Sequence, residues 1–198
     1  MLDVEDQLKI VGFEKLTPVD RAIKLNENFN MNRQVFEELF QSIENNLVSS
    51  SKPNSPRYQL DLSEQQLTSM EIKKLASALE KNNTIKDIDL SDNNMGNKGL
   101  KFIAAALEKN KALTDLDLSA NDIGDEGAKH IADALKINTG LKYLDLESNQ
   151  ISNEGLKAFA VALIINNTLT DLDLDHNQIN QKGAKIIASL ATQCDVTL

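Results

Sequence analysis

The sequence predicts an α/β solenoid, and two observations support this prediction. The first is a 28-residue period, in which the pattern (Leu/Ile)-x-x-(Leu/Ile)-Asp-Leu-x-x-Asn begins at Ile85 and returns at Leu113, Leu141 and Leu169. The second is that each copy joins a short alternating segment, typical of a strand, to a Gly-x-x-x-(Ile/Phe)-Ala segment, typical of a helix. Such units bury their apolar faces on their neighbours, so they stack into an elongated array.

A divergent copy precedes these four. Leu60 and residues 75–79 keep the 28-residue register, although Gln65 replaces the Asn and Glu71 replaces the Gly. We therefore assign the repeats to residues 58–198.

Residues 1–57 are predicted to form a helical N-terminal cap. Phe36, Leu39, Phe40, Ile43 and Leu47 recur at helical spacing behind Asn32, a suitable N-cap. Residues 20–47 are expected to be a degenerate repeat, and residues 49–56, with two prolines and four serines, an irregular loop. A helix start at Thr17–Pro18 and a short amphipathic helix over 1–16 are further expectations. A cap of this kind covers the end of a solenoid core.

The opposite end differs because only residues 194–198 follow the last predicted helix, and no polar capping unit is predicted there. We expect this end either to shield itself or to meet a second copy or a partner.

Each repeat position has a physical role. The leucines of the strand segment point into the core, and the residues between them face the open side of a parallel sheet. An Asn where the strand turns away can satisfy backbone donors and acceptors, which predicts a ladder through the stack formed by Asn93, Asn121, Asn149 and Asn177. The repeated glycines, such as Gly127, provide close approach or special dihedral angles at the helix entrance. A second set suits the turn after each helix and comprises Asn82, Asn110, Asn138 and Asn166.

Composition and charge restrict the function. The net charge of −9 argues against nucleic acid and anionic membranes as partners, and it favours a basic partner or simple solubility.

Cys194 is the single cysteine, which excludes an internal disulfide and suits a reducing compartment. The acidic start does not resemble a secretory signal, and no apolar run has the length of a membrane span. We expect a cytoplasmic protein without cofactors.

The repeat unit resembles the ribonuclease-inhibitor-like class of leucine-rich repeat, and Asn166 to Leu174 shows the resemblance best. It is similar to the repeats of nucleotide-binding innate-immune receptors and of leucine-rich-repeat bacterial effectors. The resemblance covers roughly residues 58–192 and implies a right-handed curved horseshoe, with the parallel sheet on a concave face and the helices on a convex face. It also implies a recognition module or adaptor, or an effector in a host cytosol if the source is an intracellular bacterium.

The strand positions concentrate negative charge on the predicted concave face. One column between the core leucines comprises Asp61, Asp89, Asp117, Asp145 and Asp173. A second column comprises Asp87, Asp115 and Asp171, interrupted by Tyr143, and Glu147 and Asp175 extend the acidity at the strand ends. Like charges on neighbouring strands oppose one another, so we predict a binding face for a basic protein, with Tyr143 as an aromatic contact.

Two alternatives remain for these carboxylates. Leu-Asp-Leu is common in this repeat class, so the Asp side chains can be simply hydrated. A divalent cation such as calcium also suits carboxylate oxygens, although a flat column lacks the wrapped loop that supplies six or more ligands.

A second candidate surface lies on the convex side. Positions held by Glu80-Lys81 and Glu108-Lys109 become Lys136-Ile137 and then Ile164-Ile165. Exposed Ile137, Ile164 and Ile165 would form an apolar patch for a partner or for self-association, so we expect a monomer or a weak homodimer through this patch or the C-terminal end.

Enzymatic function is not expected. His130 and His176 have no matching nucleophile, and no phosphate-binding glycine motif occurs. Ran GTPase-activating proteins share this repeat class, but no Arg follows Arg57 to serve as an arginine finger. Non-catalytic protein recognition is the predicted function, with a GTPase regulator and a self-assembling scaffold as alternatives.

Overall fold

The computed structural model describes residues 33–45 and 59–198, in which short strands alternate with helices. The helices are α1 Arg33–Glu44, α2 Ser69–Lys81, α3 Gly96–Lys109, α4 Asp125–Leu135, α5 Asn153–Ile165 and α6 Gln181–Leu190. The strands are β1 Gln59–Asp61, β2 Asp87–Asp89, β3 Asp115–Asp117, β4 Tyr143–Asp145, β5 Asp171–Asp173 and β6 Asp195–Thr197.

The six strands form one open parallel sheet in sequence order. The middle residue of each strand from β2 to β5, such as Leu116, is buried, whereas its two neighbours are at least partly exposed on the opposite face. Consecutive helices pack against one another along the array. One continuous apolar core therefore separates the sheet from the helices, and the predicted leucine-rich-repeat solenoid is confirmed.

The predicted Asn ladder is present, and Asn121 illustrates its geometry. Its side-chain oxygen accepts hydrogen bonds from the backbone N–H groups of Asn93 at 3.2 Å and Met95 at 3.1 Å. Its Nδ2 donates to the carbonyls of Leu90 and Ser119 at 2.8 and 2.9 Å. Asn121 is fully buried, so each repeat uses this amide to satisfy backbone groups of its own turn and of the preceding one.

The second Asn set forms another ladder at the helix ends. Asn110 donates from Nδ2 to the carbonyls of Leu79 and Asn82, and its Oδ1 accepts from the N–H groups of Ala112 and Leu113. Its φ of −72° is ordinary. The helix is therefore ended by side-chain hydrogen bonding, without the left-handed backbone that often places Asn after a helix.

The repeated glycines are needed for close approach. Gly127 has no positive φ, but a Cβ added there would lie 2.7 Å from Oδ1 of Asn97 and 2.9 Å from Cγ2 of Ile123. Oδ1 of Asn97 also accepts the N–H groups of Gly124 and Gly127, so a polar side chain of one repeat caps the next helix.

The divergent first repeat replaces this arrangement with a local one. Thr68 is the N-cap of α2, and the carboxylate of Glu71 accepts its N–H at 2.8 Å and its hydroxyl at 2.6 Å. This reciprocal capping box explains why Glu stands where later repeats have Gly.

Different elements pack against the two ends of the described array. At the N-terminal end, α1 packs on α2 and buries Leu39, Phe40 and Ile43, as predicted. The other cap predictions, which concern residues 1–32 and 46–58, lie outside the described residues. At the C-terminal end β6, a strand that the sequence did not predict, pairs with β5 and extends the sheet. The outer flank of α6 nevertheless stays exposed.

Candidate protein-interaction face

The inner acidic column lies on the concave face, as its spacing predicts. Successive members are paired in the parallel register from Asp61 through to Asp173, and Thr197 takes the sixth place. In each, Oδ1 accepts the backbone N–H of the residue two positions later, at 2.8 to 3.0 Å. Where that residue is serine, its hydroxyl donates to the same oxygen at 2.7 Å. The inner carboxylates thus close the turn after each strand, a role that the sequence did not reveal.

The outer column runs through Gln59, Asp87, Asp115, Tyr143, Asp171 and Asp195. Asp115 and Asp171 accept hydrogen bonds at 2.5 Å from the hydroxyls of Thr114 and Thr170. Asp195 was not identified from the sequence because it follows Asp171 by 24 residues instead of 28. The column of acidic side chains is therefore one strand longer than predicted.

Tyr143 interrupts the outer column near its centre. Its hydroxyl donates to Oδ2 of Asp145 at 3.1 Å, and 37% of the residue is exposed. Burial, followed by the charge of Asp145 and its hydrogen bond, raises the pKa of Tyr143 to about 12. The phenol is therefore a neutral hydrogen-bonding group at physiological pH.

Asp145, at the fourth strand of the inner column, is affected by both burial and the charges of its neighbours. Burial raises the pKa of this carboxyl, and the charges of Asp117 and Asp173 raise it further. Hydrogen bonds from the N–H of Glu147 and the hydroxyl of Tyr143 oppose this shift. The fold therefore holds like charges close enough to disfavour ionisation.

Two lysines modify the acidic character at the strand entrances. Lys86 and Lys142 directly precede β2 and β4. Lys142 and Tyr143 help to line a shallow hollow between Asp115 and Asp171. At the other end of the strands, Glu147 and Asp175 are half-buried, and each has a carboxylate oxygen 3.9 Å from a ring nitrogen of His176. On the concave face, the acidic columns thus lie between lysines at the N-terminal ends of the strands and His176 beyond their C-terminal ends.

The convex isoleucines are exposed, as the repeat register predicts. The exposed fractions are 57% for Ile137, 61% for Ile164 and 53% for Ile165. At equivalent places in the first helices, ion pairs join neighbours instead, namely Lys81 with Glu44 and Lys109 with Glu80. The convex surface therefore changes from ion-paired to apolar along the solenoid.

Other chemistries receive little support from the described residues. Within residues 33–45 and 59–198, no group of three His, Cys, Asp or Glu side chains is arranged to hold a metal ion. No helix in the described part of the chain has the length and apolarity to cross a membrane. Cys194 is buried, and burial followed by the charges of Asp171 and Asp195 raises its pKa to about 11.

Comparison with known proteins agrees with this architecture. The model of the tropomodulin and leiomodin (TMOD/LMOD) leucine-rich domain matches residues 100–195, and a general leucine-rich-repeat model matches residues 81–104. No curated protein matches the chain.

Two solved structures share the fold. Leiomodin-1 actin-binding site 2 is 21% identical, with a TM-score of 0.63 over 80% of this chain and 88% of that chain. The tropomodulin C-terminal domain of Caenorhabditis elegans is 11% identical, with a TM-score of 0.62 over 78% of this chain and 92% of that chain. The comparisons and the geometry together show that the chain contains leucine-rich repeats, which form an open α/β solenoid.

Proposed function

We propose that this protein is a non-catalytic recognition module that binds a basic protein surface on its concave face. The observation that supports this proposal is the repeated negative charge of the inner Asp column. The fold requires only a hydrogen-bond acceptor at these positions, which need not be charged. The inner Asp residues each provide one oxygen to a backbone N–H two residues later. An uncharged Asn could accept the same hydrogen bond.

The accumulated charge also has a cost. Neighbouring strands are about 4.8 Å apart, so the columns oppose like charges across the sheet. Burial raises the pKa of Asp145, and the neighbouring charges of Asp117 and Asp173 add to that shift. A basic partner would relieve the repulsion and would be steered towards the face by its field.

Tyr143 provides the aromatic contact within this charged surface. It lies beside the hollow that Thr114, Asp115 and Asp171 line, and it is only partly exposed. Aromatic side chains with a polar tip are frequent at the centres of protein interfaces. We therefore place the centre of the contact at β3 to β5.

Neutralising the inner column without removing its hydrogen bonds tests this proposal. The test variant is Asp89→Asn/Asp117→Asn/Asp145→Asn/Asp173→Asn. The control variant removes the same number of negative charges from helices α3 to α5. It is Glu108→Gln/Glu126→Gln/Asp133→Asn/Glu154→Gln. Binding of a lysine- and arginine-rich peptide is measured by fluorescence anisotropy at two salt concentrations.

We expect the concave variant to bind the peptide at least about tenfold more weakly, and the control to change affinity by no more than about twofold. Wild-type affinity should also fall as salt increases, because exposed charges are screened. Equal loss in both variants would contradict a concave site, because it would show that only net charge matters.

Actin is a specific candidate partner, since the similar leiomodin-1 domain is described as an actin-binding site. Titration of purified actin with wild type and with the concave variant tests it directly. Binding that weakens in the concave variant supports actin as the partner of this face. Lack of binding would reject actin but would leave the peptide experiment to decide on the face itself.

A further inference from the structure

We propose that the convex surface of α5 and α6 is a second interaction site, independent of the concave face, that binds an acidic amphipathic helix of another protein. Its apolar part is a set of exposed aliphatic side chains that we call the convex ridge: Ile137, Val161, Ile164, Ile165 and Ile186. Between 45% and 61% of each is exposed. Exposed apolar side chains that are grouped on one surface often mark contact sites.

One member of the ridge, Ile186, lines a groove between the two helices. Leu156, Ala160, Gly183 and Ile187 also line it, together with the polar residues Asn153, Glu154, Lys157 and Lys182. Its volume is about 190 Å³, which is below the roughly 300–1,000 Å³ typical of small-molecule sites. The groove therefore fits one or two side chains projecting from a macromolecule better than it fits a free ligand.

The helical spacing of the exposed residues fits a helix as the occupant. On α5, Lys157, Val161 and Ile164 follow one another at i, i+4 and i+7, and all three are exposed. On α6, Lys182 and Ile186 repeat the order of a cation followed by an aliphatic residue. An amphipathic helix places its apolar residues at the same intervals, and it can insert them into a groove between two helices.

Charge determines which kind of helix fits. The protein has a net charge of −9, yet α5 and α6 together contain three lysines and one glutamate. Lys157 is paired with Glu154 at 2.6 Å, whereas Lys182 and Lys185 have no ion pair among the described residues. These two lysines lie near the N-terminal end of α6, where the helix dipole adds positive potential. An acidic flank on the docked helix complements this charge.

A second copy of the chain fits less well. A symmetric contact would bring the ridges and the lysines of both copies together. It would add no negative charge to compensate the lysines, whereas an acidic helix would. The earlier helices also lack this surface. Lys98 and Lys101 stand at the repeat positions of Lys182 and Lys185, but the helix containing them, α3, has Glu108 and Lys109 where α5 has isoleucines.

The experiment uses two stapled helical peptides of about 16 residues with the same leucine stripe, one flanked by glutamates and one by lysines. Binding to the full chain is measured by fluorescence anisotropy. Ile164→Glu/Ile165→Lys transfers the ion-pairing residues of α3 to α5, and Lys182→Glu/Lys185→Glu reverses the charge. The matched control is Lys98→Glu/Lys101→Glu, and circular dichroism verifies that every variant is folded.

We expect wild type to bind the glutamate-flanked peptide at least about tenfold more tightly than each of the two α5–α6 variants. The control and the concave Asp→Asn variant should bind it within about twofold of wild type, which separates this site from the concave face. Absence of binding to wild type would overturn the proposal, as would an equal loss in the control. A concentration-dependent doubling of mass that Ile164→Glu/Ile165→Lys abolishes would also overturn it, in favour of a second copy.

Discussion

The central repeat and the last repeat have the same sequence pattern but different surroundings. Helix α4 has six buried residues, among them Ile131 and Leu135, whereas α6 has only Gly183 and Ile187. The reason is that, among the helices of residues 33–45 and 59–198, α4 lies between α3 and α5 whereas α6 packs on α5 alone. The same contrast separates Asn121, which is fully buried, from Asn177, which is half-buried.

This difference shows that burial in a solenoid depends on the neighbours of a repeat as much as on its own residues. Each interior unit contributes two interfaces to stability and a terminal unit only one. Identical substitutions at equivalent positions should therefore differ in cost, and the last repeat should open before the centre.

The largest difference is expected for the isoleucine in the middle of each helix. Ile131 and Ile187 occupy the same repeat position, and both are fully buried. We expect Ile131→Ala to lower the free energy of unfolding by about 4 kcal/mol, because helices on both sides hold the cavity open. Ile187→Ala should cost about 2 kcal/mol, since α6 can move into the space. Urea denaturation followed by circular dichroism measures both.

Ile186→Ala is the control for this pair, because Ile186 is adjacent but 45% exposed. It should change stability by less than about 1 kcal/mol. If Ile187→Ala were as destabilising as Ile131→Ala, the last helix would be as firmly packed as the central one, and the proposed contrast would be wrong.

A smaller difference is expected along the Asn ladder. Asn121→Ala would leave the N–H groups of Asn93 and Met95 without their acceptor in a buried site, at a cost of about 3 kcal/mol. In Asn177→Ala, water can reach the half-buried turn and replace part of the lost bonding, so we expect about 1 kcal/mol. Thermal and urea unfolding of both variants decide the point, and equal costs would show that exposure does not weaken the ladder.

Much of the fold was predictable because the repeat makes each position visible several times. The core leucines, both Asn sets and the acidic columns recur every 28 residues, and the period assigns each to a face. The two ladders that the Asn residues form follow from the need to satisfy buried amides and carbonyls. The C-terminal strand was not predictable in this way, because Asp195, the first residue of β6, follows Asp171 by 24 residues instead of 28.

The local geometry of the turns was not predictable from residue type. Ala120, Ser148 and His176 have positive φ values of 51° to 55°, a conformation that normally selects Gly or Asn. Their neighbours Asn121, Asn149 and Asn177 hold these turns through side-chain hydrogen bonds, so the ladder overrides local preference. The turn-closing hydrogen bonds of the inner Asp column were missed for a different reason. The negative charge of these residues suggested a binding role, and their structural role was not considered.

The last prediction concerns Cys194, whose reactivity reports on the closure of the last repeat. This thiol is buried directly before β6, and burial, followed by the charges of Asp171 and Asp195, raises its pKa to about 11 from 9.0. At pH 8 we expect it to react with a thiol reagent about a hundredfold more slowly than the urea-unfolded protein does, because the thiolate is the reactive form.

The pH dependence of this reaction distinguishes a closed last strand from one that opens. A raised pKa means that the fold favours the neutral thiol, so its contribution to stability is present below pH 9 and is lost as the pH rises through about 11. If β6 stays closed, the reaction rate should rise with an inflection near pH 11. An inflection near 9 with a rate close to that of the unfolded chain would mean that β6 is detached in solution. In that case the array would effectively end at β5, and Asp195 would not extend the acidic column.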